Sequence, residues 1–153
     1  MKRRLVLSVV WMGALLLAVL ITEAYFARTV TVMDQQVHIL TATSRVAAYE
    51  ALAQIYGPMI LLMGSAWFAK VFKEVTDSAV EVMRFRLAMA STLLYNAIML
   101  GMLAAPHFGS PEGMVLSAFD DARKVGLALA FLLAWPNVHY FGAKPPGESA
   151  VGT

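Results

Sequence analysis

Residues 5–26 read LVLSVVWMGALLLAVLITEAYF, a run whose single charged side chain, Glu23, stands at its far end. A helix needs roughly 20 mostly apolar residues to cross a bilayer core of about 30 Å. This run therefore meets the requirement by itself. Three more apolar runs follow, at 56–72, 87–105 and 125–142. Four such runs in 153 residues predict an all-α, integral membrane four-helix antiparallel bundle. The expected organisation is one membrane domain over 1–144, with spans at about 5–26, 56–75, 85–105 and 125–142.

Composition points the same way. Apolar residues make up 59% of the chain and charged residues 14%, against roughly 45–50% and 25% in soluble domains. The mean hydropathy is +0.67. Net charge is only +2, so the basic excess is local and does not form a nucleic-acid footprint. There is no cysteine, which excludes disulfides, thiolate metal sites and cysteine nucleophiles.

Met1-Lys2-Arg3-Arg4 ahead of an apolar stretch is the pattern of a secretory signal, and Thr22-Glu23-Ala24 is a weak cleavage pattern. The apolar core of about 17 residues exceeds the 7–15 of a usual signal peptide. The run is expected to be an uncleaved anchor.

Charge sets the expected orientation. Of the 12 Lys and Arg, eight fall on one side of the four spans: Lys2, Arg3, Arg4, Lys70, Lys73, Arg84, Arg86 and Lys144. The other four, Arg28, Arg45, Arg123 and Lys124, fall opposite. The positive-inside rule then puts both termini in the cytoplasm of a plasma (inner) membrane protein. Tyr25, Phe26, Tyr56, Trp67, Trp135 and Tyr140 lie near expected span ends, where aromatic belts form. Trp11 lies deeper and reads as a packing or lipid-facing residue.

The connections carry their own signals. Over 27–55, Phe26, Val30, Met33, Val37, Leu40, Ala47 and Ala51 keep a three–four spacing, the stripe of a helix packed on a helix. An outward helical hairpin over 27–55 is expected, turning at Thr41-Ala42-Thr43-Ser44, whose hydroxyls compete for backbone bonds. The competing reading is a strand at Thr29-Val30-Thr31-Val32, where β-branched residues alternate. Pro58 removes a donor inside the second helix, and a break there needs re-satisfying by neighbours. The inner loop at 70–86 is rich in both charge signs. Ser78-Ala79-Val80-Glu81 is a capping box, so helix two is expected to end near Val75 and helix three to begin near Ala79. The outer loop at 106–124 opens with Pro106 and a Gly/Pro-rich stretch, with a second helix-start signature at Ser110-Pro111-Glu112. A short surface turn over 114–124 is expected before helix four, and Pro136 to kink that helix near its inner end. Residues 145–153 read as a polar disordered tail.

Small residues recur every fourth position on three helices: Ala97, Gly101 and Ala105; Gly126, Ala130 and Ala134; Ala14 and Ala18, continued by Thr22. Such ridges let helix backbones approach closely in lipid. They either hold the monomer together or face a partner subunit.

An ionisable group within a span is a functional hypothesis by default. Glu23 is the candidate ion or proton site, with a boundary pair to Arg28 as the plainer reading. Asn96, mid-span on helix three, is the second candidate, with cross-helix hydrogen bonding as its plainer role. The histidines, His38, His107 and His139, are not at matching depth for a transmembrane haem pair. An outer metal site from His38, His107 and Asp34 lacks ligand spacing. No cofactor is expected. The chain has no phosphate-binding Gly loop, nucleophile elbow or HExxH.

In length and span number the chain is similar to the small eicosanoid and glutathione membrane enzymes. Their second helix carries Arg, Asn and Glu. Arg45-Val46-Ala47-Ala48-Tyr49-Glu50 lacks the Asn, and no site is carried over. The expectation is a non-catalytic membrane subunit or scaffold of a larger complex, its partners being membrane lipids and other integral subunits or further copies of itself, with no nucleic acid. The alternatives are a small oligomeric transporter or channel using Glu23 and Asn96, and a membrane enzyme or cofactor carrier.

Overall fold

The computed structural model describes residues 2–32, 35–38, 41–68, 79–108 and 115–142. Four helices carry the fold: α1 (Lys2–Phe26), α2 (Ala42–Phe68), α3 (Ala79–Ala104) and α4 (Val115–Gly142). The protein is an all-α four-helix bundle. Three stretches among the described residues are long and apolar enough to cross a membrane: Arg3–Phe26, Ala42–Trp67 and Ala79–Phe108. At 25 residues, α1 is about 37 Å long.

The helices close a ring in the order α1, α2, α4, α3. Inter-helix contacts fix their directions. Trp67 near the end of α2 donates to Ser8 near the start of α1 at 3.1 Å, so these two run antiparallel. Phe85 early in α3 meets Tyr140 late in α4, so these two also run antiparallel. Tyr25 Oη at the end of α1 donates to the Leu103 carbonyl at the end of α3, at 2.8 Å, so α1 and α3 run parallel. Two antiparallel hairpins therefore lie side by side, and the parallel contacts arise between them.

The first arm of the expected outward hairpin is not helical. After α1, Thr29–Val32 (β1) and Gln35–His38 (β2) pair antiparallel, with Thr29 opposite His38 and Val32 opposite Gln35. The alternating β-branched residues of β1 favour an extended chain. The second arm is helical as expected, and it is continuous with the span. Thr41 caps α2, its Oγ1 accepting the Ser44 amide at 3.3 Å, the bond that satisfies an otherwise orphaned donor of the first turn.

Helix three is described from Ala79 and ends in a 3₁₀ turn, Ala105–Phe108. The surface turn expected at 114–124 is instead the first part of α4, which is unbroken from Val115. The expected end of helix two, the capping Ser78, the Ser110-Pro111-Glu112 signature and the tail lie outside the described residues.

The core is aromatic. Trp11, Tyr56, Tyr25, Phe119 and Phe141 are all nearly or fully buried. Trp11 packs edge-on to Tyr56, ring centroids 6.2 Å apart, and tilted to Tyr95 at 5.8 Å. It is a packing residue.

Candidate functional site

The small-residue ridges point in different directions. On α1, Ala14, Ala18 and Thr22 are buried, and the Thr22 hydroxyl donates to the Ala18 carbonyl at 2.8 Å. On α4, Gly126 is buried and Ala130 exposed, while the side chain of Ala134 lies outside the described residues. On α3, Ala97, Gly101 and Ala105 are all exposed. A Cβ built on Gly101 would meet nothing within 4 Å, whereas one on Gly126 would lie 3.0 Å from Tyr95 Oη. Among the described residues the α3 ridge therefore takes no part in holding the monomer. It forms the middle of α3's outer face, opposite the buried Ala88, Thr92, Tyr95, Met99 and Leu103. Beside it an apolar groove of about 400 Å³ runs between α3 and α4, with Leu94, Ile98, Leu129 and Trp135 among its walls.

At the outer end Glu23 pairs with α2 and not with Arg28. Arg45 Nη2 lies 2.7 and 2.6 Å from the two Glu23 oxygens, and Tyr49 Oη donates to Oε1. The Arg45 guanidinium also sits over the Phe26 ring, 5.3 Å from its centroid. This cluster ties the last turn of α1 to the first turns of α2, on either side of the β-ribbon. Both charged side chains are substantially exposed, so water screens the pair and it adds little to stability. Arg28 instead lies over the Tyr25 ring at 5.9 Å.

Tyr25 also stacks on His107, with centroids 3.8 Å apart. The side chains of His38, Asp34 and His139 lie outside the described residues, so the suggested outer metal set has only His107 within them. Among the described residues no group of three His, Asp or Glu could hold a metal ion. On α4, Asp120 takes Arg123 and Lys124, each at 2.5 Å. The Lys124 hydrogen bond, reinforced by Arg123, holds the Asp120 carboxyl below its usual range.

Among the described residues Asn96 makes no hydrogen bond to another helix. Its Nδ2 donates to the Thr92 carbonyl of its own helix at 2.9 Å. The cross-helix polar contacts come from other residues. Thr92 Oγ1 donates to Asn137 Oδ1 of α4 at 3.4 Å. Tyr95 Oη donates to the Ile55 carbonyl of α2 at 3.3 Å. Sequence reasoning missed Asn137, which is fully buried.

The two helix prolines share a pattern. Each proline lacks the N–H that would reach the carbonyl four residues earlier and loosens the helix there. In both helices a side chain donates to the carbonyl three residues before the proline. Tyr95 serves Ile55 ahead of Pro58, and Asn137 Nδ2 serves Leu133 ahead of Pro136 at 3.1 Å. In lipid, loosened backbone persists only when neighbours re-satisfy it.

The chain matches no known family model, no curated protein and no solved structure.

Proposed function

We propose that this protein is a non-catalytic integral membrane subunit or scaffold, which seats the transmembrane helix of a partner on the outer face of α3. One observation carries the reading: Ala97, Gly101 and Ala105 are exposed along a helix apolar enough to span a membrane. Lipid association between helices rests on close van der Waals packing, which small residues permit. A ridge not used inside the monomer is available for that packing. The partner is another membrane subunit or a second copy of this chain.

The interior weighs against transport. Trp11, Tyr56, Tyr95 and Met99 are buried between the helices, and Glu23 is engaged by Arg45 and Tyr49. On this reading α4 crosses the membrane as the fourth span, and both termini lie in the cytoplasm. Eight inner against four outer Lys and Arg support that orientation.

Native mass spectrometry of the gently solubilised protein tests the proposal. The natural chain is expected to carry extra polypeptide mass, and Gly101→Leu to lose it. A Cβ added at Gly101 meets nothing within 4 Å among the described residues, so stability should change by less than about 0.5 kcal/mol. Full assembly of the Gly101→Leu protein would contradict the reading.

A further inference from the structure

Trp11 Nε1, Tyr56 Oη and Asn96 Oδ1 are buried and have no hydrogen-bond partner among the described residues. Their residues are 0%, 0% and 4% exposed and come from α1, α2 and α3. The Trp11 ring touches both Tyr56 and Tyr95, and Asn96 follows Tyr95 in the chain. Asn96 also shares its face of α3 with Leu103, seven residues on. The Leu103 carbonyl accepts from Tyr25 of α1. Trp11, Tyr56 and Tyr95 thus form one layer in the middle of the bundle, and Asn96 adjoins Tyr95 in the chain.

Unpaired polar groups are costly to bury, and a lipid-covered bundle offers no bulk water to relieve them. The polar neighbours in this layer are already committed: Tyr95 to Ile55, Asn137 to Leu133 and Thr92 to Asn137. The three remaining groups complement one another. An indole N–H only donates, a phenol donates and accepts, and an amide oxygen only accepts. A single water accepting from Trp11 and Tyr56 and donating to Asn96 makes three hydrogen bonds, the usual number for a buried water.

We propose that the centre of this bundle is an internal water site, in which Trp11, Tyr56 and Asn96 join α1, α2 and α3 through bound solvent. The site makes Tyr56 and Asn96 structural links between helices, a role that neither performs by direct contact.

Pulsed hydroxyl-radical footprinting of the full chain in lipid nanodiscs tests this, because bound water generates radicals in place. Tyr25 is the internal reference, being 2% exposed with its hydroxyl already bonded to the protein. Modification of Trp11 and Tyr56 is expected to exceed that of Tyr25 several-fold. Modification of both at the Tyr25 level would overturn the proposal. Tyr56→Phe provides a second readout. It should reduce Trp11 modification several-fold and lower the unfolding midpoint. A higher midpoint would mean that the hydroxyl is simply buried without a partner, and would also overturn the proposal.

Discussion

The Gly126→Leu protein is expected to lose about 3 kcal/mol of stability, the upper part of the usual range for overpacking a core. Even a Cβ at this position would stand 3.0 Å from Tyr95 Oη, 3.3 Å from Met99 Sδ and 3.5 Å from Ile55 Cγ1. Tyr95 has little room to yield. Its hydroxyl is bonded to the Ile55 carbonyl, and its ring packs on Trp11. Moving it would also remove the donor that serves the loosened turn ahead of Pro58. Denaturation in mixed micelles measures the loss. Tyr95→Phe in the Gly126→Leu background removes the atom that collides first and should recover part of the stability. In the natural background the same change should cost about 1 kcal/mol for the lost hydrogen bond. An unchanged midpoint for Gly126→Leu would show that α4 does not approach α3 and α2 as described.

Trp11→Ala is expected to cost about 3–5 kcal/mol, the range for truncating a buried tryptophan. Trp11 is fully buried and in ring contact with Tyr56 and Tyr95. In lipid the loss is mainly of dispersion contacts, since the surrounding chains are as apolar as the core. The internal control is Trp135→Ala. Trp135 is 65% exposed beside the groove between α3 and α4, and its truncation should change stability far less. Equal effects of the two substitutions would remove the distinction between a core and a lipid-facing tryptophan.

Much of the fold could be read from the sequence because bilayer thickness sets the length of an apolar run. Run length put expected spans at 5–26 and 85–105, within the stretches where α1 (Lys2–Phe26) and α3 with its 3₁₀ turn (Ala79–Phe108) are described. It did not determine how the helices are arranged around the ring. Two glycines, Gly101 and Gly126, sit in ridges with the same four-residue spacing, yet one is exposed and the other buried. Spacing identifies a ridge, but only the order α1, α2, α4, α3 determines which way it faces. Likewise Val30 fits both a helical stripe and an alternating strand. The antiparallel pairing of β1 with β2 resolves that ambiguity, through cross-strand hydrogen bonds that periodicity alone does not encode. Glu23 reads as an ion or proton candidate or as a boundary carboxylate paired with Arg28, whereas its partner, Arg45, lies 22 residues away across the ribbon. The donors ahead of Pro58 and Pro136 are one from a different helix and one from the same helix, so no common sequence spacing marks them.

Site-specific photo-crosslinking in native membranes tests the central claim most directly. The chain has no cysteine, so single cysteines can carry a benzophenone maleimide at chosen positions. Ala97 and Ala105 lie on the proposed docking face. Leu16 and Leu20 of α1 and Leu61 of α2 are also well exposed and serve as controls. A discrete polypeptide adduct from Ala97→Cys and Ala105→Cys, with none from the three controls, is the predicted result. Adducts that are absent from α3, or as strong from α1 and α2, would contradict the account.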